Sequence, residues 1–592
     1  MFIFDSQSEF YRCPQGGIRE GNSINIKIHV KKTASPPRVR IEKKHDYSSS
    51  FYKELNMEWI GAEKSHDLYQ ANFIINEWGN YIYYFIINED TISKNYELLI
   101  YKESFETPEW IKGGIIYHIF VDRFYRKELF KKSGDLVIRK NWGDIPHYLP
   151  SGDGEIKNND FFGGNLDGIG CKLPYLKELG VTAIYLSPIF EAYSNHKYDV
   201  SDYFAVDPMF GDENALIELC KEAKSFNMHI ILDGVFSHTG SVSRYFNKGG
   251  HYKTTGAYQS KDSVYYDWYT FNRWNDDYVC WWGIKTLPTL NKQSNSYIDF
   301  ITGRDGVLAY WQKKGVKGWR LDVADELPNE FLEKLRFAVK NQDSEAYIVG
   351  EVWEDASNKM SYGKLKEYFC GNQLDSVTNY PLKDAIIDYI KTRDCTKLND
   401  TMNFIVEKYP PQAVNCLMNI LGTHDTARII TVLGTNIEPE SKSDKAEYRL
   451  STEELRNSVK LLKIASLLQF TLPGVPCIYY GDEVGVEGFE DPFNRACFPW
   501  GNENKEIQSH YIFLSKLRKN QLLIVGKYKN HIHDGGVFAF ERYENHKRMI
   551  VAINLSKDSI TLKLKEEMKD FISNIKGFEF KINAEEYIVF LN

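Results

Sequence analysis

The 592-residue sequence contains no long uninterrupted apolar run and no C-x-x-C cysteine pair. Its most apolar stretch, residues 461–480, is broken by a lysine, a glutamine and two prolines, which excludes a membrane span and predicts a packed helix, turn and strand. No basic segment with a cleavage site opens the sequence, so no secretory signal is expected. Cys416 and Cys477 lie in apolar runs, which favours free thiols in a reducing cytoplasm over disulfides or a zinc site.

Positive charge is not concentrated anywhere in the chain. The net charge is −8 and no basic stripe occurs, so a nucleic-acid partner is not expected. Apolar residues make up 43% of the sequence and charged residues 26%, which is typical of a globular chain with a sizeable core. The composition therefore predicts a cytoplasmic, soluble, multi-domain protein without a membrane partner.

Hydrophobic patterning divides the chain into three regions. Residues 1–105 show strand-like alternation and predict a β-sandwich of carbohydrate-binding type, for which packing on the next domain is the simplest role. Residues 106–519 alternate eight strand candidates with helical segments such as 213–226 and 328–340, which predicts an α/β fold, the (β/α)8 TIM barrel. A doubly wound sheet is the alternative, but the first strand is not followed by a Gly-rich phosphate loop. Residues 520–592 predict a C-terminal β-sandwich.

The spacing of the strand candidates predicts an insertion. The candidates are residues 115–124, 181–188, 230–235, 316–323, 347–353, 373–380, 414–424 and 476–482. Asp322 and Glu351 are 29 positions apart, whereas Asp233 and Asp322 are 89 apart. The additional residues between the third and fourth strands predict an inserted subdomain, domain B, at residues 240–299. Its many aromatic rings suit sugar faces, although most are expected to form its own core.

Three of the strand candidates end close to a carboxylate: Asp322, Glu351 and Asp425. Arg320 lies two residues before Asp322, so both side chains point to one face of a strand, and the arginine is expected to keep that carboxylate ionised. An isolated R-x-D pair is more often structural. The carboxyl ends of barrel strands, however, meet at one rim, and carboxylates gathered there indicate glycoside hydrolysis.

The motifs resemble the α-amylase superfamily of glycoside hydrolases. The residues that carry the resemblance follow the family's order: Gly180–Pro188, Asp233–His238, Gly318–Glu326, Gly350–Trp353, Thr423–Asp425 and Gly474–Glu483. The chain is most similar to neopullulanases, cyclomaltodextrinases and maltogenic amylases. That narrower similarity rests on the β-rich N-terminal region, His196–Asp199, Leu287–Asn291 and the position of Glu326.

The resemblance implies a role for each site residue. Asp322 would be the nucleophile of a retaining mechanism, Glu351 the general acid with a raised pKa, and Asp425 the stabiliser of the transition state. The substrate-binding residues implied are His196, Tyr198, His238, Arg320, Glu326, His424, Asp491 and Arg495. For the last two residues, a surface ion pair is the alternative.

The resemblance does not imply a required cofactor. Ser237 occupies a position where calcium-dependent relatives have a ligating asparagine, and Asn165 stands where relatives have an aspartate. Arg126–Lys132 is basic where relatives are rich in Asn and Asp. Fewer anionic oxygens weaken the binding of a hard cation. We therefore predict no required metal, and an adventitious calcium site stays open.

The sequence predicts a retaining hydrolase that cleaves α-1,4-glucosidic bonds, with α-1,6 cleavage open. The implied substrates are maltodextrins, cyclomaltodextrins, pullulan or starch fragments. An α-glucan transglycosylase of branching or glucanotransferase type shares the chemistry and is an alternative. A non-catalytic carbohydrate-binding relative is another, and it predicts at least one lost carboxylate, whereas all three are present. Relatives also imply a homodimer formed through the N-terminal domain.

Overall fold

The centre of the molecule is a ring of eight parallel strands. The structure, a computed structural model, describes residues 2–592 except 33–35, 64, 89–90, 129–135, 151, 153 and 155. The ring strands are Ile116–Ile119, Ala183–Leu186, His229–Gly234, Gly318–Leu321, Tyr347–Gly350, Ser376–Val377, Met418–Ile420 and Val475–Tyr479. Each pairs in parallel with its neighbours, the first strand pairs with the last, and a bridge between Thr378 and Met418 closes the ring. The predicted (β/α)8 barrel is confirmed.

Helices surround the ring. Among the described residues they are Val121–Phe124, Leu166–Cys171, Leu173–Glu178, Glu213–Ser225, Asn295–Thr302, Val307–Gln312, Asn329–Gln342, Tyr380–Thr392, Thr396–Lys408, Pro411–Val414, Ile429–Gly434, Lys442–Glu447, Thr452–Thr471, Lys505–Arg518 and Gln521–Val525. Asp212 shows why such a helix begins where it does, since its carboxylate accepts the Ala215 N–H at the first turn. Leu216, Leu219 and Ala223 then recur on one buried face.

The most apolar stretch of the sequence is a helix followed by a strand, as predicted. Ser451 and Glu454 form a reciprocal capping box that begins the helix Thr452–Thr471, and the last barrel strand follows after a short turn. The polar Gln469 inside this stretch donates to the carbonyls of Asn419 and Cys477 on two barrel strands. Within the described ranges, no helix is both long and apolar enough to cross a membrane.

The N-terminal region folds into two packed sheets. The first contains Phe2–Ile3, Arg12–Cys13, Ser23–Lys31, Glu58–Glu63 and His66–Ile74, and the second contains Ile18–Arg19, Arg38–Lys44, Ser49–Asn56, Gly79–Asn88, Thr91–Ile92 and Tyr96–Tyr101. Ile24, Ile26, Ile28 and Val30 are fully buried in their shared core, so the strict alternation in the sequence marks the inner face. Arg12 is buried as well and donates to the Glu407 carbonyl of the barrel.

The chain leaves the barrel after the third strand and returns at the helix Asn295–Thr302. Little regular structure lies between these points: the strands Phe271–Arg273 and Asp277–Tyr278 and the 3-10 turns Tyr266–Trp268 and Trp281–Gly283. Tyr245, Trp268 and Tyr269 are buried in its core, as expected for most of its rings. Trp282 is instead 78% exposed.

Short strand pairs and turns occupy the other loops. The strands are Val137–Ile138, Asp160–Phe161, Phe190–Ala192, Val200–Val206, Met360–Ser361 and Lys364–Leu365, and the remaining 3-10 turns are Ala324–Glu326, Asp482–Val484 and Phe493–Arg495. Because the turn Ala324–Glu326 follows the fourth barrel strand directly, it lies at the rim where barrel chemistry occurs.

The C-terminal β-rich domain is present and packs on the barrel. Its strands Lys527–Asp534, Val537–Glu544, Lys547–Asn554, Ile560–Asp570, Lys576–Ile582 and Glu586–Leu591 are hydrogen-bonded into one antiparallel sheet. One face, with Phe538, Phe540 and Val551, belongs to the same apolar cluster as the barrel helices. The opposite face forms a second cluster around Ile550 and Phe590.

This packing predicts which phenylalanine stabilises the C-terminal domain. Phe540→Ala should lower the free energy of unfolding by about 3–5 kcal/mol, because Phe540 is fully buried between sheet and barrel. Phe578→Ala is the matched control, since Phe578 is 54% exposed and should cost less than about 0.5 kcal/mol. Calorimetric unfolding of the two variants makes the comparison, and equal shifts of the transition would contradict the assigned packing.

Candidate active site

Two carboxylates lie side by side at the carboxyl end of the barrel. Asp322 and Glu351 directly follow the neighbouring strands Gly318–Leu321 and Tyr347–Gly350. Their backbone N–H groups continue the barrel ladder, donating to the carbonyls of Gly234 (3.1 Å) and Leu321 (2.9 Å). Both residues are buried, at 6% and 5% exposure. The sheet therefore fixes the backbone from which each carboxyl group projects.

One guanidinium group joins the carboxylates. Arg320 Nη1 donates to Asp322 Oδ1 at 2.9 Å and to both oxygens of Asp233 at 2.8 and 3.0 Å, and Nη2 lies 3.0 Å from Glu351 Oε2. The predicted contact between Arg320 and Asp322 is present. Arg320 is itself buried, so its charge acts in a poorly solvated site.

The charge balance of this cluster differs from the expected one. Burial raises the pKa of Asp322, Arg320 lowers it, and Glu351 and Asp233 raise it further, so that the pKa lies well above its ordinary value. Burial likewise raises the pKa of Asp233 against the opposing effect of Arg320. Arg320 thus acts on the pKa of Asp322 in the predicted direction, but the effect of burial is larger. Arg320 offsets burial only in part, because its one positive charge is shared among three carboxyl groups.

Asp425 lies across the site on a different element. It follows the strand Met418–Ile420 by a short loop, and its Oδ2 is 3.1 Å from His424 Nε2. The same His424 nitrogen is 2.6 Å from the Tyr198 hydroxyl, which donates to Asp233 Oδ2 at 2.8 Å. These bonds connect Asp425 to the Arg320 cluster, so the three predicted carboxylates belong to one network.

The three predicted histidines contact Tyr198 in different ways. His424 and His196 stack on the Tyr198 ring, with centroids 5.2 and 5.9 Å from it, and the His196 ring is the more tilted of the two. His238 uses both ring nitrogens within the protein: Nδ1 accepts from the Ser237 hydroxyl and Nε2 donates to the Tyr198 carbonyl. His238 thus holds the Tyr198 backbone, a role that its motif did not indicate.

The histidines are neutral. Burial lowers the pKa of His196 to about 3, with Arg495, Lys197 and His238 adding to the shift. Burial also lowers the pKa of His238 to about 4, although the Tyr198 carbonyl opposes it. The pKa of His424 is lowered well below its usual range, first by burial and then by Arg495 and Arg320. Neutral imidazoles add no positive charge to the carboxylate cluster.

Asp491 and Arg495 form a pair that reaches the site. Arg495 Nη1 is 2.9 Å from Asp491 Oδ1, and Arg495 Nη2 is 3.6 Å from Asp425 Oδ1. The Arg495 side chain is 8% exposed and donates through Nε to the His424 carbonyl. A buried arginine that spans two carboxylates differs from the surface ion pair considered as the alternative.

Glu326 lies at the rim, in the turn that follows Asp322. Its Oε1 accepts hydrogen bonds from three ring donors: Trp281 Nε1 at 3.0 Å, Trp282 Nε1 at 3.3 Å and the Tyr362 hydroxyl at 3.1 Å. Trp281 in turn lies 5.3 Å from the His238 ring. The site residues predicted from the sequence are therefore brought to one end of the barrel.

Sequence reasoning missed several neighbours of this cluster. Asp233 accepts from Arg320 and from the hydroxyls of Tyr185 (2.6 Å) and Tyr198, so it orients the whole network. Its position at the end of the third barrel strand was the available signal. Tyr380 and Trp353 stack 3.9 Å apart beside Glu351, with the Tyr380 hydroxyl 3.5 Å from Glu351 Oε1. Tyr362 lies in a hairpin that contains none of the motifs on which the site prediction rests.

The candidate calcium ligands are used in other ways. Asn165 Oδ1 accepts the Gly168 N–H and begins a helix, while its Nδ2 donates to the carbonyls of Glu128 and Gly163. Over the described residues, no group of three or more His, Cys, Asp or Glu side chains could hold a metal ion. Positions 129–132 of the basic segment lie outside the described residues. The absence of a required metal stays a prediction.

A (β/α)8 barrel with buried polar residues gathered at its carboxyl rim has the architecture of a barrel enzyme, and comparisons specify the family. Residues 118–516 match the alpha-amylase catalytic domain. The chain is 34% identical to a cyclomaltodextrinase of Thermoanaerobacter pseudethanolicus, over 80% of this chain and 76% of that protein. The chain belongs to the alpha-amylase family.

Two further relatives cover nearly the whole chain. It is 35% identical to an amylopullulanase of Thermoanaerobacterium saccharolyticum over 91% of its length, and it spans 46% of that longer protein. Its structure resembles the type III pullulan hydrolase of Thermococcus kodakarensis with a TM-score of 0.71 and 27% identity, covering all of both chains. The resemblance stated from the motifs is confirmed.

The lowered pKa of His196 predicts that the free energy of unfolding falls in acid. The folded-state pKa of His196, about 3, lies below the ordinary 6.5, so the unfolded chain takes up the proton first as the pH falls. Its contribution to stability is lost from about pH 6.5 downward, by up to about 2 kcal/mol at pH 5. Unfolding free energies of His196→Gln at pH 7 and pH 5 should therefore differ less than those of the wild type. His251→Gln, at an exposed histidine, serves as control, and an unchanged pH dependence in His196→Gln would refute the shift.

Proposed function

We propose that this protein is a retaining glycoside hydrolase that cleaves α-1,4-glucosidic bonds in small or cyclic α-glucans. The observation that carries the proposal is the shared contact of Asp322 and Glu351 with Arg320, from adjacent strand ends. A retaining mechanism needs its two carboxyl groups about 5–5.5 Å apart, and one guanidinium bonded to both supports that spacing. Membership of the alpha-amylase family gives independent support.

The first step forms a bond from Asp322 to the sugar. Asp322 Oδ1 is held by Arg320, which leaves Oδ2 to attack the anomeric carbon. As that C–O bond forms, the glycosidic C–O bond breaks and its oxygen takes a proton from Glu351. Glu351 Oε2 accepts the Val323 N–H at 2.9 Å, so Oε1 is the atom that carries this proton.

The second step releases the sugar. Glu351, now ionised, removes a proton from water, the water oxygen bonds to the anomeric carbon, and the bond to Asp322 breaks. Two displacements at one carbon retain the α configuration. Asp425 lies next to Arg495 and the neutral His424 and stabilises the positive charge that develops on the sugar ring.

The relatives support the substrate class. They include a cyclomaltodextrinase, an amylopullulanase and a type III pullulan hydrolase, so α-glucans with α-1,4 links, and in some cases pullulan, are the proposed substrates of this chain. All nine cysteines are free thiols, which supports the proposed reducing, cytoplasmic location.

Loss of the proton donor tests the mechanism. Glu351→Gln should reduce turnover of maltohexaose by about 10³-fold or more while oligosaccharide binding persists, since the amide cannot protonate the leaving oxygen. Glu453→Gln, at an exposed helix start, is the matched control and should retain the wild-type rate. Reducing-end assays and calorimetric binding make the measurement. A Glu351→Gln variant with wild-type turnover would rule out the assignment.

The substrate preference is tested by initial rates on a cyclomaltodextrin and on soluble starch at equal mass. We expect faster cleavage of the cyclic glucan, because the relatives that this chain resembles over most of their length include cyclomaltodextrinases. Glu351→Gln provides the blank. Faster cleavage of starch would mean an open groove and contradict the preference for small substrates.

A further inference from the structure

Exposed aromatic rings continue outward from the active site along one path. Trp281 lies beside His238, Trp282 stacks on Trp281 with centroids 5.3 Å apart, and Tyr362 meets both through Glu326. Trp282 and Tyr362 are 78% and 75% exposed. A single carboxylate oxygen thus holds the polar edges of Trp282 and Tyr362, whose rings remain largely exposed.

The backbone under these exposed rings is strained. Trp282 and Tyr362 have φ of 48° and 49°, a left-handed region that non-glycine residues seldom occupy. Such a residue costs on the order of 1–3 kcal/mol and persists where the surroundings require it. Neither ring gains burial in return. The strain therefore points to use of the ring faces by a ligand.

Tyr362 occupies the tip of a tight hairpin. The strands Met360–Ser361 and Lys364–Leu365 pair Ser361 with Lys364, so Tyr362 and Gly363 form a two-residue turn with positive φ at both positions. Asn or Gly is preferred at the first position of such a turn, where this chain has a tyrosine. The hairpin fixes the ring beyond the rim.

The hairpin belongs to the same loop as the proposed proton donor, so we assign it to the leaving-group side of the cleavage point. It belongs to the loop after the strand Tyr347–Gly350, which carries Glu351, the residue that protonates the leaving oxygen. Arg495 and Asp491 instead approach through Asp425, which follows a strand elsewhere in the ring. Tyr362 is thus in the loop of the proposed proton donor, and Glu326 connects Trp282 to it.

The N-terminal domain holds this hairpin. Asp46, in the turn between two N-terminal strands, accepts from Lys364 Nζ at 2.8 Å and from the Leu365 N–H at 3.0 Å. Tyr47 packs so closely that a Cβ on Gly363 would lie 3.1 Å from its hydroxyl oxygen. The Asn80 amide also donates to the Lys366 carbonyl. The position of Tyr362 therefore depends on a separate domain of the same chain.

We propose that Tyr362 and Trp282 form a platform for the leaving-group sugars of the α-glucan, and that Asp46 is a positioning residue that ties the N-terminal domain to this platform. The inference rests on the proposed hydrolase function and adds a specificity determinant to it. Flat rings on one side of the cleft suit the apolar faces of glucose units. The chain length of the leaving group would then determine how much the platform contributes.

The test compares two substrates with very different leaving groups. Maltohexaose places sugars on the platform, whereas α-maltosyl fluoride has a single atom as its leaving group. Tyr362→Ala should lower kcat/KM for maltohexaose about tenfold, mainly through KM, and leave the rate of fluoride release unchanged. Tyr362→Phe keeps the ring and should restore most of the loss.

Asp46 is tested on the same two substrates. Asp46→Ala should also lower kcat/KM for maltohexaose, but by a smaller factor than Tyr362→Ala, about threefold. Asp46→Asn, which can still accept the Leu365 N–H, should recover part of it. Glu58→Ala, an exposed carboxylate elsewhere in the N-terminal domain, is the control and should change neither substrate.

The outcomes separate the inference from the function on which it rests. A wild-type protein that cleaves neither substrate overturns the hydrolase itself. If the wild type is active but Tyr362→Ala leaves the ratio of the two substrates' rates unchanged, the platform is overturned. Equal losses of rate on both substrates overturn it as well. A shifted ratio in Tyr362→Ala but not in Asp46→Ala overturns the role of the N-terminal domain.

Discussion

The active end of this molecule depends on the Arg320 guanidinium. Removing several carboxylates from water is costly unless a partner compensates each of them, and here one buried cation contacts Asp233, Asp322 and Glu351. Burial raises the pKa of Asp322, and the single guanidinium group offsets this effect only in part.

The barrel makes such a cluster feasible. Its parallel ladder places residues two apart on one face and brings the ends of neighbouring strands to one rim, so Arg320 can reach the carboxylates of the third, fourth and fifth strands at once. The tyrosines around it, Tyr185 and Tyr198, donate to Asp233 and replace lost water. The surrounding helices and the two terminal domains cover the remaining apolar surface.

Much of this arrangement could be predicted from the sequence, because it rests on local patterns. The apolar runs mark all eight barrel strands, and the carboxylates that follow Leu321 and Gly350 mark the rim. The raised pKa of Asp322 could not be predicted, since its main cause is burial in the folded barrel. Glu351 and Asp233 add to it, and Asp233 lies 89 positions away in sequence but pairs with Arg320 across adjacent strands. Tyr362 escaped notice for a similar reason: its partner Glu326 is 36 positions earlier.

The contact between the N-terminal domain and the rim shows how weak individual bonds can fix a ring in place. The Asp46–Lys364 pair is largely exposed, with side chains 37% and 70% accessible, and such pairs contribute little by themselves. The same carboxylate also accepts a backbone N–H, which orients the hairpin strand rather than a flexible side chain. The turn at Tyr362 and Gly363 has only two residues, so fixing one strand of the hairpin leaves its tip few alternative conformations. A modest surface bond can thus help to determine where an aromatic ring lies at the rim.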